Sequence, residues 1–390
     1  MNKLTVSRKE QKLREKARKQ SEIRRLKSEE MYTLSQGKLM VMRFMRNKLA
    51  VFGLVVLIMV YIMAVFCEFF APYDGNTMYA KYKYMPPQRV NWTDETGKFV
   101  GPYVYAIEIG YDPVTFQPTY EENKELKANI RFFVRGDPYK MLGLFYSDIH
   151  LFGTGDPDIP LFLLGTDSIG RDLLSRIFIG TRISSSVGLI GVFISFLLGL
   201  ILGGISGYFG GVADMVVQRI IDFIISLPTI PIWMAIAAAV PNTWPVLKTY
   251  FCVVLILSLM GWTGLARVVR SKFMSLKNED FVRAARVVGA SNMRIIMKHM
   301  VPTFTSHLIA SLSLSVPGMI LGETSLSYLG IGLRPPAISW GILLSDMQNL
   351  RNIALYPWMM IPGIFIVITV MSFNFVGDGL RDAADPYSYS

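Results

Sequence analysis

Asp167, Arg171, Asp172, Arg176 and Arg182 set two carboxylates among three guanidiniums in one short stretch. Charges of opposite sign four apart can pair. The group has two readings: a charge-paired amphipathic elbow on the outer membrane interface, or a fixed polar rim at the mouth of a solute path. Glu323 stands alone inside an apolar run, where a carboxylate is a candidate for ion or proton handling. With no second carboxylate beside it, it makes a poor proton relay. A hydrogen bond that packs one helix on another near the outer interface is the simpler reading. His150, His299 and His307 lack metal-ligand spacing to cysteine or carboxylate. No Ser-His-Asp set can be assigned from order or spacing. A phosphate-binding loop needs G-x-x-x-x-G-K-[ST]; the nearest string, Gly37-Lys38, has Tyr32 at the first glycine position and Leu39 where Ser or Thr belongs. No covalent chemistry, metal site or nucleotide site is expected in this chain, so any energy source lies on another one.

Residues 263–307 carry eight Lys/Arg against Glu279 and Asp280. Asn278 is the expected cap of a helix whose first turn holds those two acids, next to the positive helix end. Phe281, Ala284, Ala285 and Val288 follow at i, i+3, i+4, i+7. Gly289-Ala290-Ser291 breaks the helix. A second helix is expected with Met293, Ile296, Met297 and Met300 on one face, ended by Pro302. Such a short helix–turn–helix with an apolar face suits a soluble partner.

These segments must be held by membrane-spanning elements. The 390-residue chain is 52% hydrophobic with a net charge of +11, which indicates a membrane protein with basic flanks. Six runs have the length and apolarity to span: 49–70, 183–205, 220–240, 246–265, 308–329 and 358–376. Pro228, Pro231 and Pro317 fit kinked helices in a bundle. Gly199, Gly203, Gly207 and Gly211 recur every four residues in or just beyond the second run, a spacing for close helix contact. Arg219 and Asp222 are spaced to pair. Residues 1–48 form an arm with fifteen Lys/Arg and five Asp/Glu, read as a solvated topogenic tail or a helix on anionic lipid. Its scarcity of aromatics argues against nucleic acid as a partner. The first apolar run lacks a small-x-small cleavage site and is expected to stay as an anchor. Cys67 and Cys252 both lie in apolar runs, so no disulfide framework is implied.

Four spans separate the basic arm from the basic 263–307 loop, so both are expected in the cytoplasm with the C-terminus. Residues 71–160, with nine Lys/Arg and twelve Asp/Glu, are then outside. This insert holds ten tyrosines and nine prolines, with strand-like runs at 103–109 and 130–134, and reads as a small, turn-rich, partly β module. The expected architecture is an all-α polytopic membrane protein of six transmembrane helices plus that insert. Its parts are the arm 1–48, the first helix 49–70, the insert 71–160, and a core 161–390 with five helices and the 263–307 loop.

Arg283-Ala284-Ala285, then Gly289, and later Pro302 at matching spacing, resemble the EAA loop of ABC importer permeases, with Arg283 where the motif has glutamate. Leu164–Arg176 followed by Gly180-Thr181-Arg182, Leu329-Gly330-Ile331-Gly332-Leu333, Pro335-Pro336 with Ser339-Trp340-Gly341, and Asn374 to Asp385 resemble the oligopeptide/dipeptide type of that family, the second, C-type permease of the peptide/opine/nickel group. The resemblance runs from about 164 to 386 and accounts least for the arm and the insert. It implies coupling to an ATPase through Arg283, Ala284, Ala285, Gly289, Ala290, Ser291 and Pro302. It also implies a homologous second permease, two ATP-binding cassette ATPase subunits that hold ATP and Mg, an extracytoplasmic solute-binding protein, and a bacterial inner-membrane location. Peptides are the expected solute, with oligosaccharides or opines as alternatives; no His/Cys nickel site is present. The rival class is a self-sufficient secondary transporter or channel. It would need an inverted repeat or an ion site, and no repeat relates the first and last three spans.

Overall fold

The structure is a computed structural model, and it describes residues 36–94, 97–114, 117–241 and 243–384. Most of the basic arm lies outside the described residues. The first described helix, α1 (Gln36–Arg46), meets α2 (Lys48–Val65) at Asn47, whose side chain accepts a hydrogen bond from the Ala50 amide at 3.2 Å. A short helix, α3 (Cys67–Phe70), completes the first expected span.

α4 (Leu173–Phe209) is 37 residues long and begins ten residues before the apolar run that announces it. Its first turns contain Arg176 and Arg182, which make a sequence look extramembranous. Both are neutralised within the protein, as described below, so the helix runs on through them. α7 (Val246–Leu276) packs along α4 over most of its length. The glycine stripe makes this possible. A Cβ on Gly203 would sit 2.4 Å from the Ala266 carbonyl oxygen, and one on Gly207 would sit 2.6 Å from that of Arg270. Gly211 is not part of the stripe: with φ +56° it starts the next helix, and among the described residues nothing lies within 4 Å of its Cβ position.

The expected third span is two helices, α5 (Gly211–Ser226) and α6 (Thr229–Ala238), bent by 87° at Leu227-Pro228. Composition cannot tell a kinked span from a broken one. The break follows because Pro228 has no amide hydrogen to donate and biases Leu227 to extended backbone, here ψ 137°. Arg219 and Asp222 do not pair. Asp222 instead accepts from Arg267 on α7 at 2.7 Å.

α8 (Asp280–Val287) is the first helix of the basic loop, and the second begins as α9 (Asn292–Arg294). From there the backbone continues through a π turn (Ile295–Met300) and a 3-10 turn (Val301–Phe304) into α10 (Thr305–Tyr328). Pro302 therefore does not end a helix. It sits in the first turn of the 3-10 segment, where its missing N–H is tolerated. α11 (Trp340–Ser345) and α12 (Leu350–Leu355) lead to α13 (Ile361–Ala384), which stays helical eight residues beyond the last apolar run. Among the described residues five helices, beginning at Lys48, Leu173, Val246, Asn292 and Pro357 in this continuous sense, are long and apolar enough to cross a membrane. The bent α5–α6 pair makes a sixth if it counts as one span.

The insert is partly β, as its residue types indicate. β1 (Asn91–Thr93), β2 (Phe99–Tyr111) and β3 (Pro118–Asn129) form an antiparallel sheet in that order, and β4 (Arg131–Met141) pairs with β5 (Phe145–Gly153) as a hairpin. A small core of Val104, Ala128, Ile159 and Leu161 closes the module. His150 fastens the hairpin to the end of the first span, with Nδ1 2.5 Å from the Ala71 carbonyl oxygen and Nε2 2.9 Å from that of Asp137.

Candidate coupling site

α8 has no side-chain N-cap: Glu279, not Asn278, takes the cap position, and neither satisfies a first-turn amide. The helix is held by its other end. Gly289 has φ +78°; its amide donates to the Arg286 carbonyl at 3.0 Å, and the Ala290 amide donates to the Ala285 carbonyl at 3.0 Å. This pair of bonds is a Schellman motif with glycine at the left-handed position. Ser291 then caps the following helix, its Oγ accepting from the Arg294 amide at 3.4 Å. The spacing Ala284-Ala285…Gly289-Ala290-Ser291 thus has a local reason: one helix stops and the next starts with four residues between them.

Val282, Ile295, Met300, Phe304 and Leu308 are buried against Tyr208 of α4 and Val269 and Phe273 of α7. Ala285 and Ala290 pack on the edge of this cluster. The Tyr208 hydroxyl donates to Asn292 Oδ1 at 2.8 Å, and the Arg286 guanidinium lies 5.7 Å from the Tyr208 ring centroid. The loop is therefore fixed to the ends of the two longest packed helices. A bidentate ion pair backs it: Arg270 Nε and Nη2 donate to the two Asp214 oxygens at 2.5 and 2.6 Å, and Ser206 Oγ donates to Asp214 Oδ1 at 2.5 Å. That pair ties α5 to both α4 and α7.

The other side of the loop is open. Arg283, Ala284, Gly289, Ser291 and Pro302 are exposed. So are Val287 and Val288, at 89% and 86%, and Met293 and Met297. Of the apolar positions expected on one face of each helix, Phe281, Ala284, Val288, Met293 and Met297 turn outward, and Met300 joins Val282 and Ile295 in the anchorage. Val287 was not singled out by periodicity. The signal that points to it is two consecutive valines directly before a helix-ending glycine, which no single buried face accommodates.

At the opposite end of the bundle the five charged residues divide. Asp167, Asp172 and Arg176 are buried, not spread on an interface, because residues 73–85 lie over them. Asp167 accepts from the Ile169 and Arg171 amides at 3.1 and 2.9 Å and from Arg171 Nε at 2.7 Å, and stands 3.5 Å from Arg176 Nη1. Asp172 caps α4, its Oδ2 accepting from Ser175 N and Oγ at 2.8 and 2.6 Å. Burial pushes its carboxyl up to about 7, against the pull of the Ser175 hydrogen bonds. Arg182 is separate: it pairs with Glu68 at 2.6 Å and donates to the Ala64 and Val65 carbonyls at 2.9 Å. Glu323 is fully buried; Ser327 Oγ donates to it at 2.7 Å and Ser184 Oγ lies 3.4 Å away. The Trp340 amide donates to the same Ser184 hydroxyl at 3.0 Å, so the carboxyl binds α10 to α4 and α11.

Residues 196–387 match the binding-protein-dependent transport system inner membrane component family, and residues 35–87 match the N-terminal TM domain of oligopeptide transport permease C. The oligopeptide transport system permease protein OppC of Bacillus subtilis is 30% identical over 355 residues, covering 91% of this chain and 90% of that protein. The chain belongs to the oligopeptide/dipeptide-type ABC importer permeases. OppC of Haemophilus influenzae is 44% identical over 57% of this permease and 69% of its own length, and the dipeptide permease DppC of Bacillus subtilis 38% over 57% and 68%. Among solved structures, the inward-facing MetNI methionine ABC transporter covers 53% of this permease at 17% identity with a TM-score of 0.41, too low to bear on the assignment.

Proposed function

We propose that this permease carries oligopeptides or dipeptides across the bacterial inner membrane as one of two homologous membrane subunits. Two ATPase subunits hold ATP and Mg, and an extracytoplasmic binding protein delivers the solute. The arm, the α8–α9 loop and the C-terminus are cytoplasmic, and the insert faces the binding protein. The supporting observation is the loop itself. It presents an exposed face of Val287, Val288, Met293 and Met297 on a turn whose inner face is locked into the α4–α7 pair. ATPase closure against that face moves both long helices together, and the bundle alternates its access. Peptide as solute rests on what the relatives are named for.

Gly289→Asp tests the reading. Among the described residues nothing lies within 4 Å of a Gly289 Cβ, so the substitution meets a left-handed backbone cost of about 1–2 kcal/mol here. The variant should insert and fold, yet lose uptake in proteoliposomes with its partner subunits. Single cysteines at Val288 or Ser291 should crosslink to the ATPase. Near-normal uptake together with absent crosslinks would sink the proposal. ATP-independent uptake by the chain alone would favour a secondary transporter.

A further inference from the structure

At the end of the bundle that carries the α8–α9 loop lies a cavity of 630 Å³. That size is within the roughly 300–1,000 Å³ of small-molecule sites. Its walls come from α1, α7, the 3-10 turn, α10 and α13. They bring Arg43, Lys272, His307 and Arg381 together from four separate elements. One carboxylate, Asp382, is also in the wall. Among the described residues neither Lys272 nor Arg381 makes an ion pair, and both lie close enough to His307 to act on it electrostatically. Such a charge excess selects for an anion. The Met40 and Phe304 side chains add an apolar wall.

Two observations set the cavity at the bilayer surface. It opens where α7 and α13 pass from apolar to charged sequence. Beside it, α1 leaves Val41, Met42 and Met45 exposed at 62%, 49% and 58% while carrying Lys38, Arg43 and Arg46. A short helix with those two characters lies in the headgroup layer. Basic pockets between membrane helices at that depth take phosphate headgroups.

We propose that this cavity binds the phosphate-bearing headgroup of an anionic phospholipid. The lipid tails pass along the exposed flank of α1. Phe304 belongs both to the cavity wall and to the cluster that anchors the α8–α9 loop, so the bound headgroup braces α1 against the base of that loop. The site stands independently of the solute and of the ATPase contact.

The test uses the assembled transporter, purified and placed in nanodiscs of neutral phosphatidylcholine with graded phosphatidylglycerol. Retained lipid is counted by native mass spectrometry. Wild type should retain phosphatidylglycerol selectively, and raising salt from about 0.1 to about 1 M should release it. Lys272→Gln with Arg381→Gln, at two exposed positions, should weaken retention on the order of thirty-fold. Lys98→Gln with Lys124→Gln, in the insert, should leave it unchanged. A second arm offers inorganic phosphate to the complex in neutral detergent, where no comparable binding is expected. Equal retention by wild type and the Lys272/Arg381 variant overturns the proposal, as does wild-type retention that ignores salt. Tight binding of inorganic phosphate, lost in the same variant, also overturns it by assigning the cations to a free anion.

Discussion

At the scale of single residues, the permease places its ionisable groups where the chain itself neutralises them. Asp172 is the sharpest case. Its carboxyl is raised from 3.8 to about 7, so the folded protein favours the protonated form. The stability this contributes is fully present below pH 3.8 and is lost as pH rises through about 7. Asp172→Asn keeps an acceptor for the Ser175 amide and removes the titration. The difference in melting temperature between variant and wild type should therefore grow in the variant's favour from pH 5 to pH 8; a constant difference would show that Asp172 does not titrate in that range. Glu323 gives a second prediction. Glu323→Leu strands the Ser184 and Ser327 hydroxyls in a buried site and should cost about 1–3 kcal/mol, read from unfolding in mild detergent, whereas Glu323→Gln should be tolerated. The chemistry of these residues was only half legible in the sequence. Spacing pointed to Asp167 with Arg171. It could not reveal that Glu68 waits 114 positions away for Arg182, or that Asp222 prefers Arg267 over its own helical neighbour. Pairs of that separation exist only once helices pack.

The helices themselves show which properties of an element are local. Apolar length located five spanning helices and the bent α5–α6 pair, and glycine spacing marked the face of α4 that meets α7. Gly203→Leu should break that face, because its Cβ position already lies 2.4 Å from the Ala266 carbonyl. The expected outcome is loss of a stable, assembled protein, measured as monodisperse yield after extraction; normal yield would mean that α4 and α7 do not approach as described. The Arg270–Asp214 pair is partly shielded and bidentate, so a double-mutant cycle of Arg270→Gln and Asp214→Asn should return a coupling of about 1–2 kcal/mol. Boundaries were less legible than existence. α4 starts early because paired arginines are compatible with a helix interior. α5 and α6 separate because one proline, in a composition that reads as continuous, removes a backbone donor. The turn at Gly289 was legible because a Schellman motif is written in adjacent residues. Its anchorage through Tyr208 was not, since Asn292 is 84 positions away.

For the molecule as a whole, the charge pattern predicts an orientation that labelling can test. A cysteine at Tyr120, in a cysteine-free background, should react with a membrane-impermeant reagent from outside intact cells; reaction only after permeabilisation would invert the arrangement. The structure also joins distant parts of the chain across the base of the insert. The Tyr79 carbonyl lies 2.1 Å from where a Gly170 Cβ would be, and the Arg176 guanidinium reaches the Gly75 carbonyl across 101 positions. Ribosomes add about 5–20 residues per second. Residues near Gly75 therefore wait roughly 5–20 s during synthesis before their counterpart emerges. In the orientation proposed above, the insert crosses the membrane during that interval, ahead of the helix that will close its base. The first span must hold its place in the bilayer alone, and quality control has a natural window in which to reject the nascent chain.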